Sequence, residues 1–183
     1  MIALLAAAAL VRPCSPLPPS PPEEIGRCVE LAKEEARVIP EALRNLSFRE
    51  GPAVVAVGRD LFWVDRSGRA VPALPFDNGA DEFVDGLART IRKGKIGFVD
   101  RRLREVIPPR WDWASPFEGG VAAVCEGCRM SGTGEHRPVE GGKWGYVDRS
   151  GRLVVPATYA RERLPSPEDA RRSAGRQPGP GER

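Results

Sequence analysis

A short pattern recurs three times in this chain, and a chain that repeats itself folds as a row of similar units, each too small to bury its own apolar face. Phe48, Gly51 and Ala53 are matched by Phe83, Gly86 and Ala88, and again by Phe117, Gly120 and Ala122, with the same spacing inside each trio. At equal distances beyond Phe48 and Phe83 stand Val64-Asp65 and Val99-Asp100, inside Phe62-Trp63-Val64-Asp65-Arg66-Ser67-Gly68-Arg69 and Gly97-Phe98-Val99-Asp100-Arg101-Arg102-Leu103-Arg104. The third copy, Trp144-Gly145-Tyr146-Val147-Asp148-Arg149-Ser150-Gly151-Arg152, comes later because extra residues intervene. A proline follows each segment, at Pro72, Pro108 and Pro156, and then an aromatic residue, at Phe76, Trp111 and Tyr159. These positions define a domain over 47–160 with units of about 48–82, 83–116 and 117–159.

Within a unit, Ala53–Val57 and Val121–Val124 are short runs rich in Val and bounded by glycine, which suit buried strands. Leu61–Asp65 and Trp144–Asp148 read as second strands. Arg66-Ser67-Gly68 and Arg149-Ser150-Gly151 then read as tight loops with glycine where φ must be positive, leading into a third strand such as Leu153–Val155. Leu103 stands at the glycine position of the middle copy, so that turn is strained or of another type. The expected fold is mainly β: three tandem antiparallel β-meander or hairpin repeats with a short N-terminal helix.

The flanks read differently. Residues 1–11 are almost wholly apolar, too few to span a bilayer as a helix, and resemble the apolar core of an export signal without a basic start. Residues 13–22 are mostly Pro and Ser and read as an extended linker, so 1–22 is expected to be a signal-like segment with its linker. The sequence before Cys14 lacks the small residues that lipidation requires. Over 23–46, Ile25, Cys28, Val29, Ala32 and Ala36 recur at helical steps, predicting a helix interrupted near Pro40. Residues 161–183 have almost no large apolar side chains and are expected to be disordered. The net charge of +3 is small, so no nucleic-acid signal stands out.

Lys143-Trp144-Gly145-Tyr146-Val147-Asp148, followed by Gly151-Arg152 and Pro156, resembles the WG repeat of bacterial proteins. Lys95-Ile96-Gly97-Phe98-Val99-Asp100, with Ile107-Pro108-Pro109, Trp111-Asp112 and Phe117-Glu118-Gly119-Gly120, is similar. The first unit has Leu61-Phe62 where the Trp-Gly pair should stand. The resemblance, over residues 48 to 159, implies a β-repeat fold and brings no catalytic residues with it.

His136 is the single histidine, so any Ser-His or Cys-His catalytic arrangement must use it, and no motif surrounds it. The chain is therefore expected not to be an enzyme. Asp65, Asp100 and Asp148 close strands before turns, which is ordinary turn chemistry. Most of the tryptophans are expected in the core, with Trp111 and Trp113 the aromatic pair best placed for an exposed contact, since they flank Asp112 and project to the same face. Arg66 and Arg69, Arg101 and Arg104, and Arg149 and Arg152 hold matching turn positions. They form either a rim that binds phosphate or carboxylate or a set of solvated turns neutralised by Asp. Cys125-Glu126-Gly127-Cys128 with His136 offers three ligands of a zinc site, a disulfide loop or free thiols. The expected role is a non-catalytic binding or scaffold module, exported to the cell envelope or beyond, without a cofactor. Its partner is a protein or an anionic envelope polymer, and it has no transmembrane helix. The alternative is a metal-binding or redox role through Cys125, Cys128 and His136.

Overall fold

The computed structural model describes residues 10–18, 24–32, 35–77, 79–132 and 137–176. The chain divides into two compact units, the first of residues 1–81 with 101–103, the second of 82–100 with 104–183. Both are built from antiparallel strands, in agreement with the mainly β expectation. No helix among the described residues is long and apolar enough to cross a membrane.

In the first unit the leading repeat is a meander of β4 (Ala53–Val57), β5 (Asp60–Val64) and β6 (Arg69–Ala73). A three-stranded meander has two open edges and one apolar face to cover, and here the preceding chain covers both. β1 (Leu10–Pro16), β2 (Ile25–Leu31) and β3 (Ala36–Val38) pair in succession. β1 then pairs with β4, and β3 with β6. Together with the β4–β5 and β5–β6 ladders, this closes a ring of six strands. Cys14, Cys28, Val29, Val38, Val55, Phe62 and Val64 fill its interior. Gly68 sits where the ring shuts: its φ is +84°, and a Cβ there would stand 2.7 Å from the Val38 carbonyl oxygen.

Three expectations for the flanks are corrected. The helix expected over 23–46 shrinks to one turn, α1 (Pro40–Leu43), begun by proline at its first position and burying Ala42; among the described residues before it stand the strands β2 and β3. The apolar spacing that suggested a helix also satisfies short strands, and Ile25, Val29 and Val38 are β-branched. The start of the expected linker, residues 13–16, belongs to β1, with Pro13 at the register shift between Arg12 and Cys14, where a strand tolerates a missing N–H, and residues 19–22 lie outside the described residues. The first nine residues of the signal-like segment lie outside the described residues. Within the tail expected to be disordered, residues 161–176 instead hold a 3-10 turn (Arg161–Arg163) and α2 (Pro167–Arg176), and residues 177–183 lie outside the described residues. The small hairpin of β7 (Pro75–Phe76) and β8 (Gly79–Ala80) ends this unit's strands.

The second unit holds the other two meanders, β9 (Leu87–Arg92), β10 (Lys95–Asp100) and β11 (Glu105–Trp111), then β13 (Val121–Met130), β14 (Val139–Asp148) and β15 (Leu153–Tyr159), with β12 (Trp113–Ala114) beside β13. Their last two strands pair position for position. Ile96 faces Trp111, Phe98 faces Ile107 and Val99 faces Glu105; likewise Trp144 faces Tyr159, Tyr146 faces Val155 and Val147 faces Leu153. Both ladders shift register around a glycine. At Gly97 a Cβ would lie 2.5 Å from the Pro109 nitrogen, and at Gly145 it would lie 2.5 Å from the Val155 oxygen. The first meander has Phe62 at this position and runs without a shift, Leu61 to Ala73 through Val64 to Ala70. Glycine is thus tied to the bulge of the third strand, and Phe62 to its absence.

Two predictions follow from this packing. Gly97→Ala and Gly145→Ala each drive a methyl into backbone, and each is expected to cost about 1–3 kcal/mol or more in urea unfolding. Replacing Cys14 and Cys28 by Ala removes the disulfide across β1 and β2 and is expected to cost about 2–4 kcal/mol, read as a lower unfolding midpoint of the first unit.

Candidate functional site: the repeat turns and the ribbon of the third repeat

The turns after the second strands share one construction. The backbone closes with Asp65 N–H donating to the Arg69 carbonyl at 3.0 Å, Asp100 to Arg104 at 3.0 Å and Asp148 to Arg152 at 2.9 Å. The Asp side chain then folds over its own turn. Asp65 Oδ1 accepts from the Ser67 amide (2.9 Å), the Ser67 hydroxyl (2.6 Å) and the Arg69 amide (3.1 Å). Asp148 Oδ1 accepts the equivalent three, from Ser150 and Arg152, at 3.0, 2.6 and 3.1 Å. Partial burial works to raise the Asp148 pKa, but the hydrogen bonds from Ser150 and Arg152 outweigh it and hold the carboxyl below its ordinary value. Asp100 bonds Arg104 in the same way, through its amide and its Nε. In the middle turn, Leu103 takes the glycine's place at φ 58° and is buried.

The arginines of the predicted rim are occupied by the turns. Arg69, Arg104 and Arg152 each pair with the Asp that opens their own turn, and Arg69 Nη2 also donates to the Leu103 carbonyl. Arg66 donates to the Phe48 carbonyl at 3.0 Å and lies over the Phe48 ring. Arg101 Nη1 lies 3.7 Å from where a Cβ of residue 51 would stand, and Arg149 Nη2 lies 3.5 Å from that of residue 86. The arginine after the turn Asp of one repeat therefore reaches the glycine turn of the repeat before it.

The tryptophan pair is corrected in part. Trp111 is 1 % exposed, with the exposed Arg110 guanidinium 4.2 Å over its ring, so it offers no surface for an outside ligand. The chain bends at Asp112, between β11 and β12, so the strict alternation that would set both rings on one face is interrupted there. Trp113 is half-buried and packs at 5.2 Å against Trp144.

The segment between the matched parts of the third repeat forms the far half of a long ribbon, β13 and β14, paired from Val121 with Asp148 out to Met130 with Val139. Cys125 and Cys128 are joined to each other across a Cα separation of 6.1 Å. Both are buried, packed with Val139 and Trp144. Gly142 gives the sulfurs their space, since a Cβ there would stand 2.5 Å from Cys125 Sγ. Asp112 braces the loop from below: its Oδ2 accepts from the Gly127 amide at 2.7 Å while Oδ1 takes the Lys95 ammonium at 2.5 Å. That bond to Lys95 holds the Asp112 carboxyl below its ordinary value against partial burial, aided by Gly127. The Trp144 indole N–H donates to the Gly141 carbonyl at 2.8 Å. Arg161 donates to the Val139 carbonyl at 2.9 Å and covers the Trp144 ring.

With the two sulfurs bonded to each other, the zinc reading loses both of its thiolates, and His136 lies outside the described residues. No cluster of His, Cys, Asp and Glu among the described residues is arranged to hold a metal ion. The pair Cys14–Cys28 was not expected. The signal available for it was two cysteines flanking a proline-rich segment, which the expectation of a helix over residue 28 concealed.

No curated protein and no solved structure matches the chain. Residues 96–127 and 144–161 match the WG containing repeat. The match opens at the bulge-forming strand of the second meander, stops inside the Cys125–Cys128 loop and resumes at Trp144, so the outer ribbon stands outside the repeat pattern. Within its second and third meanders, then, the chain carries segments that match the WG containing repeat, the family its repeated pattern resembles.

Proposed function

We propose that the chain is a non-catalytic binding or scaffold module of an oxidising compartment, the bacterial cell envelope or the space outside it. The ribbon of its third repeat is the part offered to a protein partner. The observation that carries this reading is the ribbon's construction. It interrupts the repeat, yet a disulfide, the Asp112 carboxylate, a stacked arginine and two tryptophans hold its base rigid. A pinned base lowers the entropy lost when the outer residues dock. Its outer strands present Arg129, Met130 and Glu140 to solvent, and Met130 is 51 % exposed. The repeated Asp and Arg side chains serve the turns, which favours a framework role for the repeats. Both cysteine pairs support the compartment, because disulfides persist where glutathione does not reduce them. The metal-binding or redox alternative at Cys125, Cys128 and His136 has less support, since both sulfurs are bonded and buried.

Replacing residues 127–142 by a two-residue Lys-Gly turn, like the one joining β9 to β10, removes the ribbon and keeps the repeat. In host cells treated with a cross-linker, the native chain is expected to give a discrete protein adduct that the shortened, folded chain lacks. An undiminished adduct removes the ribbon from the reading, and adducts with anionic polymer alone move it to the arginine turns. Alkylation of the cysteines before lysis is expected to leave all of them unlabelled; labelling removes the oxidising compartment.

A further inference from the structure

Cysteine and methionine are the side chains that take up oxygen most readily. The four cysteines of this chain are joined as Cys14–Cys28 and Cys125–Cys128, with none left free. The remaining sulfurs are the thioethers of Met1, which lies outside the described residues, and Met130. A methionine usually fills a gap in a core. Met130 instead ends β13 on the outer ribbon and is 51 % exposed, so an oxidant that reaches the folded chain meets this sulfur first among the described residues.

A cation is held against that sulfur. Arg137 Nη2 donates to Met130 Sδ at 3.2 Å. The two arms of the ribbon are fixed just behind the contact: Met130 pairs with Val139, which is buried and whose carbonyl is taken by Arg161, and the Ser131 amide donates to the Pro138 carbonyl at 2.9 Å. One arm thus carries the guanidinium to the thioether of the other. A thioether is a weak acceptor, so the bond adds little to the reduced protein. A sulfoxide oxygen in the same place is a strong acceptor, and a charged donor bonds it more tightly than a neutral one.

We propose that Met130 is an oxidation site served by Arg137, and that its conversion to the sulfoxide withdraws the ribbon from its protein partner. The second half rests on the reading of the ribbon as the docking segment. In the reaction a peroxide gives one oxygen to the sulfur lone pair. The S–O bond forms as the O–O bond breaks, sulfur loses two electrons, and the departing hydroxide takes the proton of the transferred oxygen and leaves as water. Arg137 donates to the negative charge that develops on the peroxide oxygens and then to the sulfoxide oxygen. A flexible apolar side chain becomes a polar one, tied to the opposite arm. A partner that covers the thioether then loses an apolar contact and has to break the new bond.

The test treats the full chain, both disulfides intact, with dilute hydrogen peroxide. Peptide mapping by mass spectrometry follows the oxygen added at Met130, which is expected to appear about threefold or more faster than in Arg137→Leu, the scale of one hydrogen bond to a developing charge. Exchange of the Ser131 amide is expected to slow on oxidation of the native chain and not of Arg137→Leu. Equal oxidation rates in the two chains overturn the site, and an unchanged Ser131 amide overturns the tie between the arms. In host cells, peroxide given before the cross-linker is expected to remove the ribbon-dependent adduct from the native chain and to leave it in Met130→Leu. Survival of the adduct with Met130 oxidised, or its loss from Met130→Leu as well, overturns the control of docking alone. Absence of the adduct from the untreated native chain overturns the docking reading and the control with it, while the oxidation rates decide the site.

Discussion

The crossing of the third strand over a glycine of the second governs the second and third meanders. At Gly97 and Gly145 the backbone of the neighbouring strand comes so close that a side chain has no room, and the ladder absorbs the approach by shifting register. The shift turns the strand so that Ile107 in one repeat and Val155 in the other point inward, both nearly fully buried. It also places a proline beside the crossing, where a missing N–H breaks no ladder bond. The Trp or Ile just before the glycine then faces Trp111 or Tyr159. In the first meander Phe62 fills the space instead, the ladder runs straight, and the apolar face is closed by strands from outside the repeat.

That contrast explains how far the sequence could be read. The three meanders, their turns and the role of the turn Asp were all legible, because each repeats and repetition separates pattern from accident. The three strands ahead of the first repeat occur once only. Their apolar spacing fits helix and strand alike, and their partners lie far along the chain in β4 and β6. Local pattern reading carries no information about such pairing. The tail was misread for another reason. Ser166-Pro167-Glu168-Asp169 is a helix start, with Ser166 capping Asp169 N–H at 3.2 Å, proline at the first position and acids in the first turn. Its low content of large apolar residues masked that signal, since alanine suffices where a helix lies flat on a sheet.

For the candidate site, the kind of residue was legible and its employment was not. Repeated arginines beside repeated aspartates fit both an anion-binding rim and a self-neutralised turn, and only the hydrogen-bond geometry decides between them. The Asp of each turn accepts from an amide of its own turn and pairs with the arginine that ends it, which holds the shape of the turn from within. Substitution elsewhere in the unit then leaves the turn intact, and the ribbon, which the repeat pattern does not constrain, is where the chain is free to differ.

The closed ring of the first unit also sets an order of events as the chain emerges during synthesis. β1 and β2 can pair as soon as they emerge, and Cys14 and Cys28 lie within that hairpin, so their bond can form before any other strand is available. β3 must wait for β6, and β1 for β4, which leaves two strand edges open while more than half of the unit is still to come. Open edges of this kind invite pairing with other chains. Once made, the Cys14–Cys28 bond holds the hairpin in its native register through that interval, so it constrains folding before it stabilises the finished ring.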